Sequence, residues 1–79
     1  MKKASTAMSS TLRCLKVLEL LADEPFELSF TELAARLDVP KASAHRLCTT
    51  LIEANLIIQE PVTRRYMLSS HALFLIPNS

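Results

Sequence analysis

The sequence predicts a mainly helical fold with a small β hairpin, in one domain of 79 residues. Three observations predict it. Leucine and alanine recur at three- and four-residue spacing in three separate stretches, as amphipathic helices require. Residues that start or stop helices stand between those stretches: Ser9, Pro25, Ser29, Pro40 and Asn55. Two short runs rich in β-branched and aromatic residues then follow, LIIQE and RYML, separated by Pro61-Val62-Thr63-Arg64.

The elements follow in order. Positions 1–9 read as a flexible basic arm; MKKASTAMSS lacks the apolar centre of a signal peptide. Ser9 or Ser10 caps a first helix running to about position 22 or 23. Leu12, Leu15, Leu18, Leu21 and Ala22 form its expected buried stripe, and Cys14, Val17 and Leu20 widen the apolar surface beyond one face. A surface helix needs only one stripe, so the surplus points to a second subunit.

Asp23-Glu24-Pro25 stops that helix, because the residue before proline avoids helical angles. Leu28 falls in a short extended piece. Ser29 and Glu32 have capping-box spacing and open a second helix over 30–37, with Phe30, Leu33, Ala34 and Leu37 on one face. Asp38-Val39-Pro40 is a tight turn, and Pro40 suits the first turn of a third helix over about 40–54. Asn55 stands where that helix needs a left-handed residue, in a chain without glycine. The hairpin follows, with a basic tip. Ser69 or Ser70 caps a last apolar helix over 71–76. Helix, short strand, helix, tight turn, helix, hairpin is the order of a winged helix-turn-helix, a three-helix core plus wing.

Composition narrows the function classes. A chain this short buries only roughly 60–65% of its unfolded surface, so the core is thin. Yet 49% of the residues are apolar, and some of that surface expects a partner chain. The net charge is only +1, but Lys2, Lys3, Arg13 and Lys16 meet no acid before Glu19. Such local basic patches permit a polyanion partner. No apolar run approaches the ~18 residues a membrane span needs. Cys14 and Cys48 fall on helical apolar faces, without a CxxC pair, and read as reduced thiols. His45 and Cys48 are too few for a metal site. No nucleophile–base–orienter set and no glycine-rich phosphate loop is present, which argues against an enzyme and against a cofactor. Tyr66 is the one tyrosine and there is no tryptophan, so an aromatic platform for single strands is poorly supported.

Three stretches are similar to one family: LRCLKVLELLA, LSFTELAARLDVPKASAHRLCTTLIEANLI and RYMLSS. The L-A-x-x-L run at 33–37, the V-P-K-x-S-x-H-R-L opening of the third helix and the Y-x-L of the returning strand carry the likeness. Over roughly 10–73 the chain resembles the N-terminal DNA-binding domain of IclR-type transcriptional regulators. The resemblance implies a cytoplasmic bacterial or archaeal regulator that binds double-stranded DNA as a homodimer. It also implies a C-terminal domain for a small-molecule effector, absent from these 79 residues. On that reading 10–69 is the DNA-binding domain and 70–79 the start of a linker helix. Three positions depart from the pattern: Asp38 and Asn55 replace usual glycines, and Ala42 replaces a usual serine.

The residues support the same expectation independently. An α-helix fits the major groove, and its N-terminal residues reach base edges. Ala42, Ser43 and Ala44 allow close approach, so Lys41, Ser43, His45 and Arg46 are the expected base or phosphate contacts. Thr49 and Thr50 lie a turn further on, nearer phosphate or water. The wing residues Thr63, Arg64 and Arg65 are expected on adjacent backbone or in the minor groove. Ser29 and Thr31 sit at a helix N-terminus, which favours phosphate; Arg13 adds general attraction. The bland readings are an ion pair of Arg46 with Glu32 or Glu53, a rim position for His45, a plain solvated turn at 61–65, and a purely capping Ser29. A winged helix can also serve as a protein-interaction module. A two-fold dimer through the first helix and Leu73, Phe74, Leu75 and Ile76 would match a palindromic operator.

Overall fold

The computed structural model describes residues 9–75. The order is α1 (Ser10–Leu21), α2 (Phe30–Leu37), α3 (Lys41–Glu53), β1 (Ile57–Gln59), β2 (Tyr66–Leu68) and α4 (Ser70–Leu75). The fold is mainly helical with a two-stranded antiparallel hairpin, as the sequence predicts. Ile57 pairs with Leu68, Ile58 with Met67 and Gln59 with Tyr66. Leu28 adds a bridge to Tyr66, donating at 3.0 Å and accepting at 2.8 Å. The extended piece before α2 is therefore stitched to the base of the wing.

Local chemistry explains the boundaries. Ser9 caps α1 by accepting from the Leu12 N–H at 3.1 Å. The capping box of α2 is complete: Ser29 Oγ accepts from Glu32 N–H at 3.1 Å, and Glu32 Oε1 accepts from Ser29 N–H at 2.8 Å. Asp38 ends α2 in the left-handed region at φ 57°, and Asn55 takes φ 63° after α3. Both are residues whose short polar side chains tolerate that region. Pro40 is the cap before α3 and not its first residue, because its extended ψ of 152° lies outside the helix. The last helix begins at Ser70, one residue earlier than expected. Ser69 opens it: its Oγ accepts from Ala72 N–H and donates to the Asn55 carbonyl. This buried hydroxyl joins the end of α3 to the start of α4.

The core lies where α1, α2, α3 and the hairpin meet. Val17, Leu21, Leu28, Leu33, Cys48, Leu51, Ile57 and Tyr66 form it. One expectation fails here. Leu12 and Leu15 are 54% and 52% exposed, and Ala22 is exposed as well. Val17 and Leu21 are the buried pair of α1, with Cys14, Leu18 and Leu20 packed partly against the core. The inward stripe and the surplus stripe are thus exchanged at most of their positions. Both are apolar at helical spacing, and spacing alone carries no signal for which one meets α2 and α3.

Candidate nucleic-acid interface

The outer face of α3 is open. Lys41, Ala42, His45, Arg46, Thr49 and Thr50 are exposed and Ser43 is half-buried. Behind them Ala44, Leu47, Cys48 and Leu51 are buried. This division follows from the helical period: one stripe locks the helix into the core and the opposite stripe meets solvent. Arg46 makes no ion pair within 4 Å among the described residues, so the expected alternatives with Glu32 and Glu53 are not formed. His45 and Phe30 meet edge to face, 6.1 Å between ring centroids and 74° between planes. That contact steadies the ring at the rim of α3. The Thr50 hydroxyl donates to the Arg46 carbonyl at 3.0 Å, an internal role that residue type and spacing do not signal.

Arg13 joins this face from α1. It lines a small concavity with Ser10, Ser43, Arg46 and Leu47. Two guanidinium groups from different helices and two hydroxyls therefore border one surface depression. Arg13 was expected to give only general attraction; the fold gives it a defined place beside α3.

At the N-terminus of α2, Ser29 is half-buried and its Oγ is committed to Glu32, while Thr31 is exposed. Glu32 is part of this terminus too. Its hydrogen bond from the Ser29 N–H, with the Arg65 charge adding to it, holds its carboxyl below the ordinary carboxylate range. An ionised carboxylate at this helix end opposes a phosphate there.

The wing tip is a built turn. Glu60 Oε1 accepts from the N–H groups of Val62 and Thr63, both at 2.7 Å. Those bonds, Thr63 first, hold the Glu60 carboxyl low. The Thr63 hydroxyl accepts from Arg65 N–H at 3.3 Å. Arg64 is exposed at φ 66°, and its carbonyl accepts from Gln59 at 3.0 Å. Arg65 points elsewhere: its Nη2 lies 3.1 Å from Glu32 Oε1 and its Nε 3.9 Å from Glu27 Oε2. The two neighbouring arginines thus have different surroundings. The organising role of Glu60 was missed in the sequence; a lone acid directly before a proline-led turn was the available signal.

Cys14 and Cys48 are free thiols, and burial with the nearby Cys14 pushes Cys48 up to about 11. Neither faces the open surface of α3. No group of three or more metal-ligating side chains occurs among the described residues.

A right-sized helix exposed by a helix-turn-helix, flanked by a hairpin wing, defines a winged helix-turn-helix domain of the DNA-binding class. Comparison with known proteins places it further. Residues 10–61 match the IclR helix-turn-helix domain, and the chain belongs to that family. It is 30% identical over 76 residues to the transcriptional repressor IclR of Escherichia coli K12, covering 96% of this chain and 27% of the repressor. A solved IclR transcriptional regulator from Alicyclobacillus acidocaldarius superposes with a TM-score of 0.79 at 30% identity, covering 87% of this chain and 28% of that one. The repressor BlcR of Agobacterium tumefaciens gives 0.74 at 30% identity, covering 84% and 26%. The chain spans roughly a quarter of the length of these relatives. No described helix is long and apolar enough to cross a membrane.

Proposed function

We propose that this domain reads duplex DNA for a cytoplasmic transcription regulator, with α3 in the major groove. The observation that carries the reading is the exposed Arg46, without an ion pair among the described residues, on a face whose N-terminal half also carries Lys41, Ser43, His45 and Thr49. Arg46 is the residue suited to bidentate guanine recognition, with Lys41, Ser43 and His45 beside it. Arg13 and Thr49 serve the flanking phosphates, and Arg64 the backbone beyond the wing. Ser29 and Thr31 approach phosphate only in second place, since Glu32 opposes it. Two copies associate through the exposed Leu12 and Leu15 stripe of α1, helped by Leu73 and Phe74, and read a palindromic operator. Leu75 and Ile76, named for the same contact, fall where the side chains are outside the described residues. A small-molecule effector belongs to the reading only where a further C-terminal domain accompanies this one.

The test is selection of bound fragments from a random duplex library, for wild type and Arg46→Ala in parallel. A shared palindrome that relaxes at one position in the variant is the expected result. Salt-sensitive binding without a motif, or no enrichment, contradicts sequence reading by this domain alone and leaves two readings: a C-terminal region is needed to hold the dimer, or the same face serves a protein partner.

A further inference from the structure

Arg65 stands on the basic wing, yet its charge is turned back onto the body of the domain. Its guanidinium sits between two carboxylates, Glu32 at 3.1 Å and Glu27 at 3.9 Å, and is only 34% exposed. Its backbone is fixed as well. The Arg65 carbonyl accepts from Glu60 N–H at 2.8 Å and its N–H donates to Thr63. The next residue, Tyr66, pairs with Leu28 on both backbone groups. Leu28 directly precedes Ser29, the cap of α2, and Glu32 Oε1 accepts from both Ser29 N–H and Arg65 Nη2. One carboxylate oxygen therefore joins the helix start to the wing.

We propose that Arg65 is a positioning residue that clamps the wing to the capping box of α2, and not a contact to DNA. Its planar fork suits this role, because two carboxylates from different segments meet one rigid cation. The clamp has two consequences. It sets the place of the wing tip, and so of Arg64, relative to α2 and to the α3 that packs on it. It also neutralises acidic charge beside a surface offered to a polyanion. The inference rests on the DNA-binding reading for its functional consequence and on the ion-pair geometry for the clamp itself.

The experiment compares Arg65→Gln with Arg64→Gln in the 79-residue chain, using a labelled mixed-sequence duplex across a salt series. A lost phosphate contact lowers the log–log salt slope by about 0.9. Arg64→Gln is expected to show that drop. Arg65→Gln is expected to weaken binding severalfold with the slope unchanged. In the absence of DNA, Arg65→Gln is expected to shift the backbone amide resonances of Ser29 and Glu32, and Arg64→Gln to leave them in place. A slope lowered by about 0.9 in Arg65→Gln, or unmoved Ser29 and Glu32 amides, overturns the proposal. Should Arg65→Gln not fold, Arg65→Lys keeps a cation that still meets a phosphate but lacks the fork, so it is read by the Ser29 and Glu32 amides alone, and unmoved amides overturn the proposal. If wild type ignores the duplex, the DNA reading fails by itself and the two amides still decide the clamp.

Discussion

Two faces of this small domain are open, and they differ in kind. The outer face of α3 carries Lys41, His45, Arg46, Thr49 and Thr50. The outer face of α1 carries Leu12 and Leu15, with Lys16 and Glu19 paired at 3.7 Å along its edge. Shallow apolar grooves run along it between Leu12, Leu15, Leu18 and Ala22. Both helices lean on the same core, so neither face is exposed for want of packing. The difference teaches that solvent exposure alone assigns no role. A polar, basic face fits a hydrated polyanion, whereas an apolar face gains most by meeting another apolar surface.

The comparison breaks most severely if the shared core is damaged. Leu33→Ala removes a fully buried side chain that supports both helices and is expected to cost about 2–5 kcal/mol of stability. Denaturant unfolding checks it; a loss no greater than that of Leu12→Ala would contradict the core described above. A smaller change separates the faces. Arg46→Ala is expected to cost about 1–3 kcal/mol of discrimination at one base position and to leave the unfolding midpoint nearly unchanged. Competition binding against single-base variants of the selected site reads this directly. Leu15→Asp should do the reverse, abolishing self-association in sedimentation while α3 keeps its local structure. A dimer that tolerates Leu15→Asp would remove α1 from the interface.

The smallest effect concerns acid pH. The Thr63 and Val62 bonds lower the pKa of Glu60, and the Ser29 bond that of Glu32. A carboxylate whose folded pKa lies below its unfolded one stabilises fully above the unfolded value. That contribution is lost as pH falls through the folded value. Thermal stability is therefore expected to drop on the acid side, and Glu60→Gln to flatten the drop. An unchanged pH profile in Glu60→Gln would show that the turn does not use this charge.

Much of this was legible beforehand, for local reasons. Ser29 and Glu32 specify a helix start by spacing alone, and Asn55 marks a stop because few residues other than glycine accept its angles. The polar front of α3 was readable because its opposite stripe is continuous. The α1 faces were not readable, since either stripe satisfies the helical period and only tertiary packing chooses. Adjacency on a turn carries no signal of direction, so the sequence alone does not separate Arg65 from Arg64. Its partners Glu27 and Glu32 lie more than thirty positions away in sequence. The same limit hid the place of Arg13 beside Arg46.

The most direct measurement is an amide chemical-shift titration of the isotope-labelled protein with the selected duplex. The account predicts the largest changes along α3 from Lys41 to Thr50, with further changes at Arg13 and Arg64 and little at Leu12 and Leu15. Changes concentrated on the α1 apolar face, with α3 silent, would contradict it.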